Sequence, residues 1–375
     1  MRLPHAPLED WMRHFYFDTK IDLGSSGVQP WTLSELRRLL GIHPTELDSL
    51  AFDDSESYGG RELREVLAVR FGVDDPDRVM ATHGSTEAIF VAMNALLTSG
   101  DEVVVVDPAY HSLRSVAEAI GCRIKRWRLR PEDGFRPCLD ILRPLLTSRT
   151  RMVIVNFPHN PTGATLTRDQ FDAFLDLVAD HGAYLVWDGA FTELVYDTPP
   201  LPEPALRYAR CVSIGTMSKA YGLPGTRVGW CLATPEILTR FVPLRDAISI
   251  CLSPLTEFFA ARAIAQADRI LDVRRAQAAR NRQRLADWIR HNSELVSWTR
   301  PDGGCTAFPT FAGIEDTEDL CRELGARHDV LLVPGSAFGH PDRVRLGFGG
   351  DEAAFVEGLD RLQGALRARR GAAHD

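Results

Sequence analysis

Lysine is nearly missing from this chain: of 43 basic residues only three, Lys20, Lys125 and Lys219, are lysines. Arginine supplies the remaining positive charge, so a lysine kept in an unusual setting needs a reason other than charge. Clustered cysteine is also missing. The seven present are scattered, with no CxxC pair and no His/Cys cluster at metal-ligand spacing, which argues against a bound metal and for free thiols in a reducing compartment. No run approaches the roughly 18 apolar residues of a membrane helix, and "MRLPHAPLEDWMRHF" at the start has no apolar leader core. A net charge of -8 leaves no basic footprint for nucleic acid. The densest basic stretch, "RRAQAARNRQR" (274–284), repeats at helical spacing and reads as a solvated helix face. No G-x-G-x-x-G follows the first strand of a βαβ unit, which removes the nicotinamide dehydrogenases. The expectation is a cytoplasmic protein with a small-molecule substrate and no metal, nucleic-acid or membrane partner.

What is present is ordinary globular composition, 45% hydrophobic and 25% charged over 375 residues, enough for a large α/β domain and a smaller companion. Residues 1–45 read as an arm of short amphipathic pieces split by "LGSSGVQPW". From about 60 to 245, buried strands "VVVVD" (103–107), "RMVIVNF" (151–157), "AYLVWD" (183–188), "CVSIG" (211–215) and "RVGWCLA" (227–233) are separated by helical patterns. That alternation predicts βαβ units and a mostly parallel sheet over 46–250. After 250 a long helical stretch (254–291) precedes short strands at "CTAFPTF", "VLLVPGS" and "RVRLGFG" and a final helix, predicting a smaller α+β domain over 251–375. A substrate site belongs between the two domains.

Several short segments sit where strands give way to helices, the place open α/β sheets bind ligands. In "THGSTEA" (82–88), exposed N–H groups with Ser85 and Thr86 suit a phosphate, although Ser85 as a helix cap would use the same letters. "NFPHNPTG" (156–163) is a Pro/Gly loop after a strand. "WDGAF" (187–191) ends an apolar strand on Asp188, where a carboxylate needs a cation or donors. "SIGTMSKAYGLPGTRVGW" (213–230) sets Lys219 among small residues, with Arg227 eight positions on.

In order, "SYGG", "STEA", "DPAY", "NFPHNPTG", "WDGAF", "SKAYGLPGTRVGW" and "RVRLGF" resemble the pyridoxal-phosphate enzymes of the class I/II aminotransferase superfamily, fold type I, over about residues 20–350. The resemblance implies a role for each matching residue. Lys219 carries the cofactor covalently and moves the substrate's Cα proton. Asp188 pairs with the ring nitrogen, Asn160 bonds the ring O3′ and Tyr110 stacks on the ring. Ser85, Thr86, Thr216, Ser218 and Arg227 hold the phosphate, and Tyr58 reaches the phosphate of a neighbouring subunit, which implies a homodimer with shared sites. Arg345 takes the substrate α-carboxylate through a bidentate pair. Ser26 and Gly27 line the substrate site.

One position departs from that pattern. The superfamily's Asp-x-x-Tyr is Asp188-Gly-Ala-Phe191 here, so the hydroxyl that would bond the cofactor is gone. "APLEDW", "SSGV", "PAYHSL", "VIVNFPHNPTGA", "WDGAFTELV" and "VLLVPGSAFG" more closely resemble the capreomycidine synthases and the related cyclases of streptothricin biosynthesis, from about Pro7 to Gly347, and Phe191 lies inside that match. This resemblance implies dehydration of a β-hydroxylated arginine and closure of its guanidine onto Cβ, a lyase reaction yielding capreomycidine or a hydroxylated form. Ordinary transamination of an α-amino acid is the alternative. A non-catalytic sensor would need a DNA-binding domain for which these two domains leave no room. Glu9, Asp10 and Asp22 are candidate guanidine partners, although each reads first as a surface carboxylate. His83 could assist departure of the hydroxyl or be structural, and His111 and His159 share that ambiguity.

Overall fold

The computed structural model describes residues 2–372; Met1 and residues 373–375, the outer ends of the expected arm and small domain, fall outside it. The central sheet has seven strands: β2 (Val79–Thr82), β3 (Glu102–Asp107), β4 (Arg123–Arg128), β5 (Thr150–Asn156), β6 (Tyr184–Asp188), β7 (Cys211–Thr216) and β8 (Gly229–Leu232), preceded in the chain by β1 (Ile21–Asp22). Their order is β2-β8-β7-β6-β5-β3-β4, and only β8 runs against its neighbours. Alternation along each strand feeds two cores. Val103, Val105, Ile154 and Ile214 pack on one face with the helix Gly84–Leu96, while Val104, Val106, Val155 and Trp187 pack on the other with Phe171 and Phe174. Strands covered on both sides carry apolar letters throughout, which is why β3, β5, β6 and β7 are plain in the sequence.

Two strands escape that pattern. Edge strand β4, "RIKRWR", shows its arginines to solvent and buries only Trp127. β2 is four residues long and runs almost directly into a helix.

The expected helix over 254–291 is two helices, Pro254–Ala265 and Ala267–His291, broken at Gln266. Its basic face also needs correction. Arg274 and Arg282 are 6% and 4% exposed and lie on the inward side with Ala278 and Leu285, a helical repeat that carries them inside. Arg274 stacks over Trp31 with its guanidinium carbon 3.7 Å from the ring centre, and Arg282 bonds Pro301 O and Asp197.

The C-terminal part continues with β9 (Val296–Ser297), β10 (Thr306–Ala307), β11 (Thr310–Phe311), β12 (Val330–Leu331), β13 (Val333–Pro334) and β14 (Val344–Gly347). β10, β14 and β13 form an antiparallel sheet, and β1 from the arm pairs in parallel with β12. The arm is thereby sewn into the C-terminal part: Leu23 N donates to Leu331 O, Gly347 N to Leu23 O and Gln29 N to Gly349 O. A Cβ on Gly347 would fall inside the Ser25 carbonyl, so glycine is required for this approach. Among the described residues no helix is long and apolar enough to cross a membrane.

Candidate active site

Parallel strands end together, and the loops leaving their carboxyl ends collect at one edge of the sheet. Thr82 is followed by Ser85 and Thr86, Asp107 by Tyr110, Asn156 by Asn160, β6 ends on Asp188, and Thr216 leads to Lys219. Arg227 joins them because β8 is antiparallel and starts at that edge. The arm and β14 close the other side. The result is a cleft of about 590 Å³ lined by residues of all these segments, including Ser26, Gly27, Phe191, Ser218 and Arg345.

Each charged group in the cleft has a distinct setting. Asp188 is 5% exposed, and its carboxylate accepts only the Ala190 N–H, at 3.1 Å, among the described residues. Burial pushes its pKa up to about 6, opposed by that N–H and by Lys219. A buried carboxylate so weakly served suits a cationic partner supplied by a ligand. Lys219 is half-buried and donates from Nζ to Ser26 Oγ at 3.0 Å. Burial, and next the charge of Arg345, lower its pKa and favour the neutral, nucleophilic amine. Arg345 is 3% exposed; its guanidinium donates to Gly24 O at 2.8 and 3.1 Å and to Asn160 Oδ1 at 3.5 Å. Burial lowers its pKa to about 10, which leaves it charged at neutral pH, and Asp22 opposes the shift.

Asn160 is fixed through Asn156, whose Oδ1 accepts the Asn160 N–H at 2.8 Å while its Nδ2 donates to Asp188 O at 2.8 Å. Asn156 and Cys305, whose thiol donates to Ser26 O at 3.0 Å, are not singled out by the sequence. An asparagine at the end of a buried apolar strand is a usable signal; Cys305 gives none.

Ser85 is not the helix cap. The helix begins at Gly84, and Glu87 accepts from His83 N, so the Ser85 and Thr86 side chains are left to line the cleft. Gly84 has a φ of 74°, and a Cβ there would come within 2.7 Å of Arg227 Nη2. Arg227 itself sits in the left-handed region, φ 53°, and donates to Ser218 Oγ at 3.5 Å. Helix N–H groups, the three hydroxyls of Ser85, Thr86 and Ser218 and a guanidinium form an anion cradle. Thr216, 3% exposed, stands behind it: its hydroxyl donates to Ser218 Oγ and accepts from Ser218 N.

Other candidates separate cleanly. Glu9 and Asp22 line the cleft, whereas Asp10 pairs with His5 and Arg13 outside it. Glu9 accepts from Tyr110 Oη at 2.9 Å. Asp22 caps its own turn, accepting from Gly24 N and Ser25 N. Neither His83, His111 nor His159 lines the cleft. His159 is buried between Thr162 Oγ1 and Pro108 O, and burial lowers its pKa to about 4, a structural role. Tyr58 also lies outside its own chain's cleft, with its hydroxyl 3.5 Å from Thr239 Oγ1.

The profile of the family "Aminotransferase class I and II" matches residues 45–362. The chain belongs to this family. Within this aminotransferase family, it is 48% identical over 368 residues to a capreomycidine synthase from Streptomyces vinaceus, covering 97% of this chain and 94% of that protein. It is 30% identical over 328 residues to an arginine–pyruvate transaminase from Pseudomonas aeruginosa, with 82% and 79% covered. Among solved structures, the PLP-dependent cyclase OrfR superposes with a TM-score of 0.93 at 44% identity, over 98% of both chains. Pyridoxal phosphate is the cofactor of this aminotransferase-family chain. The residues present fit it: an anion cradle for a phosphate, an under-served carboxylate for a ring cation and an amine whose pKa is lowered by burial for an aldehyde.

Proposed function

We propose that this enzyme is a lyase that removes water from a β-hydroxylated arginine and closes the guanidine onto Cβ, giving capreomycidine or a hydroxylated form for antibiotic biosynthesis. The observation that carries this reading is near full-length likeness to a capreomycidine synthase, joined to a cleft holding both Arg345 and the Glu9 carboxylate. Arg345 grips the α-carboxylate and Glu9 accepts from the guanidinium, so the two ends of one arginine are matched by opposite charges.

In this reading Ser85, Thr86, Ser218 and Arg227 bind the cofactor phosphate, with Thr216 orienting Ser218. Asp188 holds the ring nitrogen, Asn160 the ring oxygen and Tyr110 the ring face. Bound pyridoxal phosphate supplies an electron sink for charge developing at Cα. Lys219 takes the Cα proton and later returns one, a base placement worth about 10²–10⁴ in rate. The protein acts as a cytoplasmic homodimer, and Tyr58 completes the phosphate site of the partner subunit.

Incubation with β-hydroxyarginine and a 2-oxo acid tests the reading by mass spectrometry. Loss of one water with the amine retained and the oxo acid unconsumed is expected. Conversion of the oxo acid to an amino acid would establish transamination instead, the reading favoured by likeness to the arginine–pyruvate transaminase.

Two substitutions probe the cleft. Glu9→Gln keeps the shape and removes the charge; it should weaken arginine binding by roughly 10-fold to 100-fold, with norleucine binding unaffected. Cofactor absorbance titrations measure both. Phe191 supplies bulk without a donor, packed 3% exposed beside Gly304. Phe191→Tyr restores a bond of about 1.5–3 kcal/mol to an ionised oxygen and should lower the pKa of the loaded enzyme's visible absorption by about one to two units. An unchanged titration would show that another group already serves that oxygen.

A further inference from the structure

We propose that Ser26 is a second catalytic residue, a hydroxyl relay that carries the proton from Lys219 to the departing β-hydroxyl; the proposal rests on the dehydrating-cyclase reading. A β-hydroxyl cannot leave as hydroxide at useful speed, and it needs a proton at the moment its bond to carbon breaks. Ordinary transamination has no such demand, so a residue meeting it belongs to the cyclising chemistry alone.

Ser26 is placed for this task. Its Oγ lies 3.0 Å from Lys219 Nζ and lines the cleft, and the residue is only 5% exposed. It is locked from two sides. The carbonyl of Ser26 accepts the Cys305 thiol at 3.0 Å, and two residues on, Val28 N donates to Lys219 O at 3.1 Å. Backbone and hydroxyl are thus registered against the same lysine.

Several competing proton donors are spent or misplaced. The Tyr110 hydroxyl is donated to Glu9, and Phe191 has no proton to give. His83 lies outside the cleft against Glu87. The Cys305 thiol faces the Ser26 carbonyl, and burial pushes its pKa up to about 12.

The protons balance. Lys219 takes the Cα proton and becomes an ammonium, which donates to Ser26 Oγ as the Ser26 O–H passes its own proton to the leaving oxygen. The Cβ–O bond breaks, water departs and both side chains end neutral. When a guanidine nitrogen then bonds to Cβ, its surplus proton goes to Lys219, which returns it to Cα. One water is lost and nothing is oxidised or reduced.

The test compares leaving groups in the loaded enzyme. Chloride departs without a proton, so Ser26→Ala should slow dehydration of β-hydroxyarginine by about 10²–10⁴-fold while slowing elimination from β-chloroalanine only a few-fold. Ser26→Thr should recover much of the loss. Stopped-flow absorbance adds a second readout: Ser26→Ala should accumulate, at near wild-type speed, the long-wavelength band that precedes water loss. Equal slowing on both substrates, slowing on neither, or slow formation of the band would overturn the relay and leave the cyclase reading intact. If wild-type enzyme removes no water from hydroxyarginine, the reading fails in the wild-type measurement itself, and the relay fails with it.

Discussion

Lys219→Ala should abolish turnover, with residual activity below about one part in 10⁴, and borohydride should no longer fix a chromophore on the peptide bearing residue 219. The reason is that one side chain has two jobs. It must be neutral to attack an aldehyde, and burial and Arg345 both push it that way. It must also exchange protons with Cα, within reach of the hydroxyl at 3.0 Å. Lys219→Arg keeps the positive charge but cannot lose its proton at working pH, so it should not rescue either job. A fixed chromophore in Lys219→Ala would mean that another amine holds the cofactor, and the assignment of the whole cleft would fall.

Asp188→Asn should reduce kcat/KM by roughly two to four orders of magnitude, the scale of about 3–5 kcal/mol for breaking a buried ion pair by removing one partner. The substitution is nearly isosteric and can keep the Ala190 N–H contact, so the loss reports charge rather than shape. The cofactor-free protein gives an independent check. The folded pKa of Asp188, about 6, is raised above the ordinary 3.8, so the folded state holds that proton more tightly than the unfolded chain does. Stability from this group is therefore full below about pH 4 and is lost as pH rises toward 6, by about 3 kcal/mol at most. Thermal melts of cofactor-free wild type should approach those of Asp188→Asn at low pH and fall below them above pH 6. Bound cofactor should reverse the ordering, because an ionised carboxylate then has a cation to face. Parallel melting curves across this range would show that Asp188 keeps an ordinary pKa.

How much of this is legible in the letters depends on what each residue is answerable to. Buried parallel strands answer to two apolar faces at once, so β3, β5, β6 and β7 announce themselves, and with them the loops that carry Tyr110, Asn160, Asp188 and Lys219. β4 answers to solvent along an edge, and its Arg-rich text conceals it. Arg274 and Arg282 mislead for a related reason. Their positions on the helix are readable, but which face turns inward is set by Trp31, Pro301 and Asp197, all distant in sequence. That limit applies to Glu9 alone of the three nearby carboxylates, since its partner Tyr110 is 101 positions away, whereas Asp10 pairs with His5 and Arg13 within the arm and Asp22 closes the turn at Gly24. Ser26 stands out as part of "SSGV", yet its nearness to Lys219 spans 193 positions and needs the fold.

The seam between β1 and β12 has a mechanical consequence. Gly24 O braces Arg345, and Ser26 comes two residues later on the same ribbon, tied to the C-terminal layer through Leu23, Gly347 and Gly349. The ribbon is also held to the strand ends, by Val28 N donating to Lys219 O, so a shift of either layer pulls on both groups together. The clamp on the substrate's acid end and the hydroxyl beside the lysine therefore cannot be adjusted separately, and lengthening the ribbon by a single residue would put both out of register together.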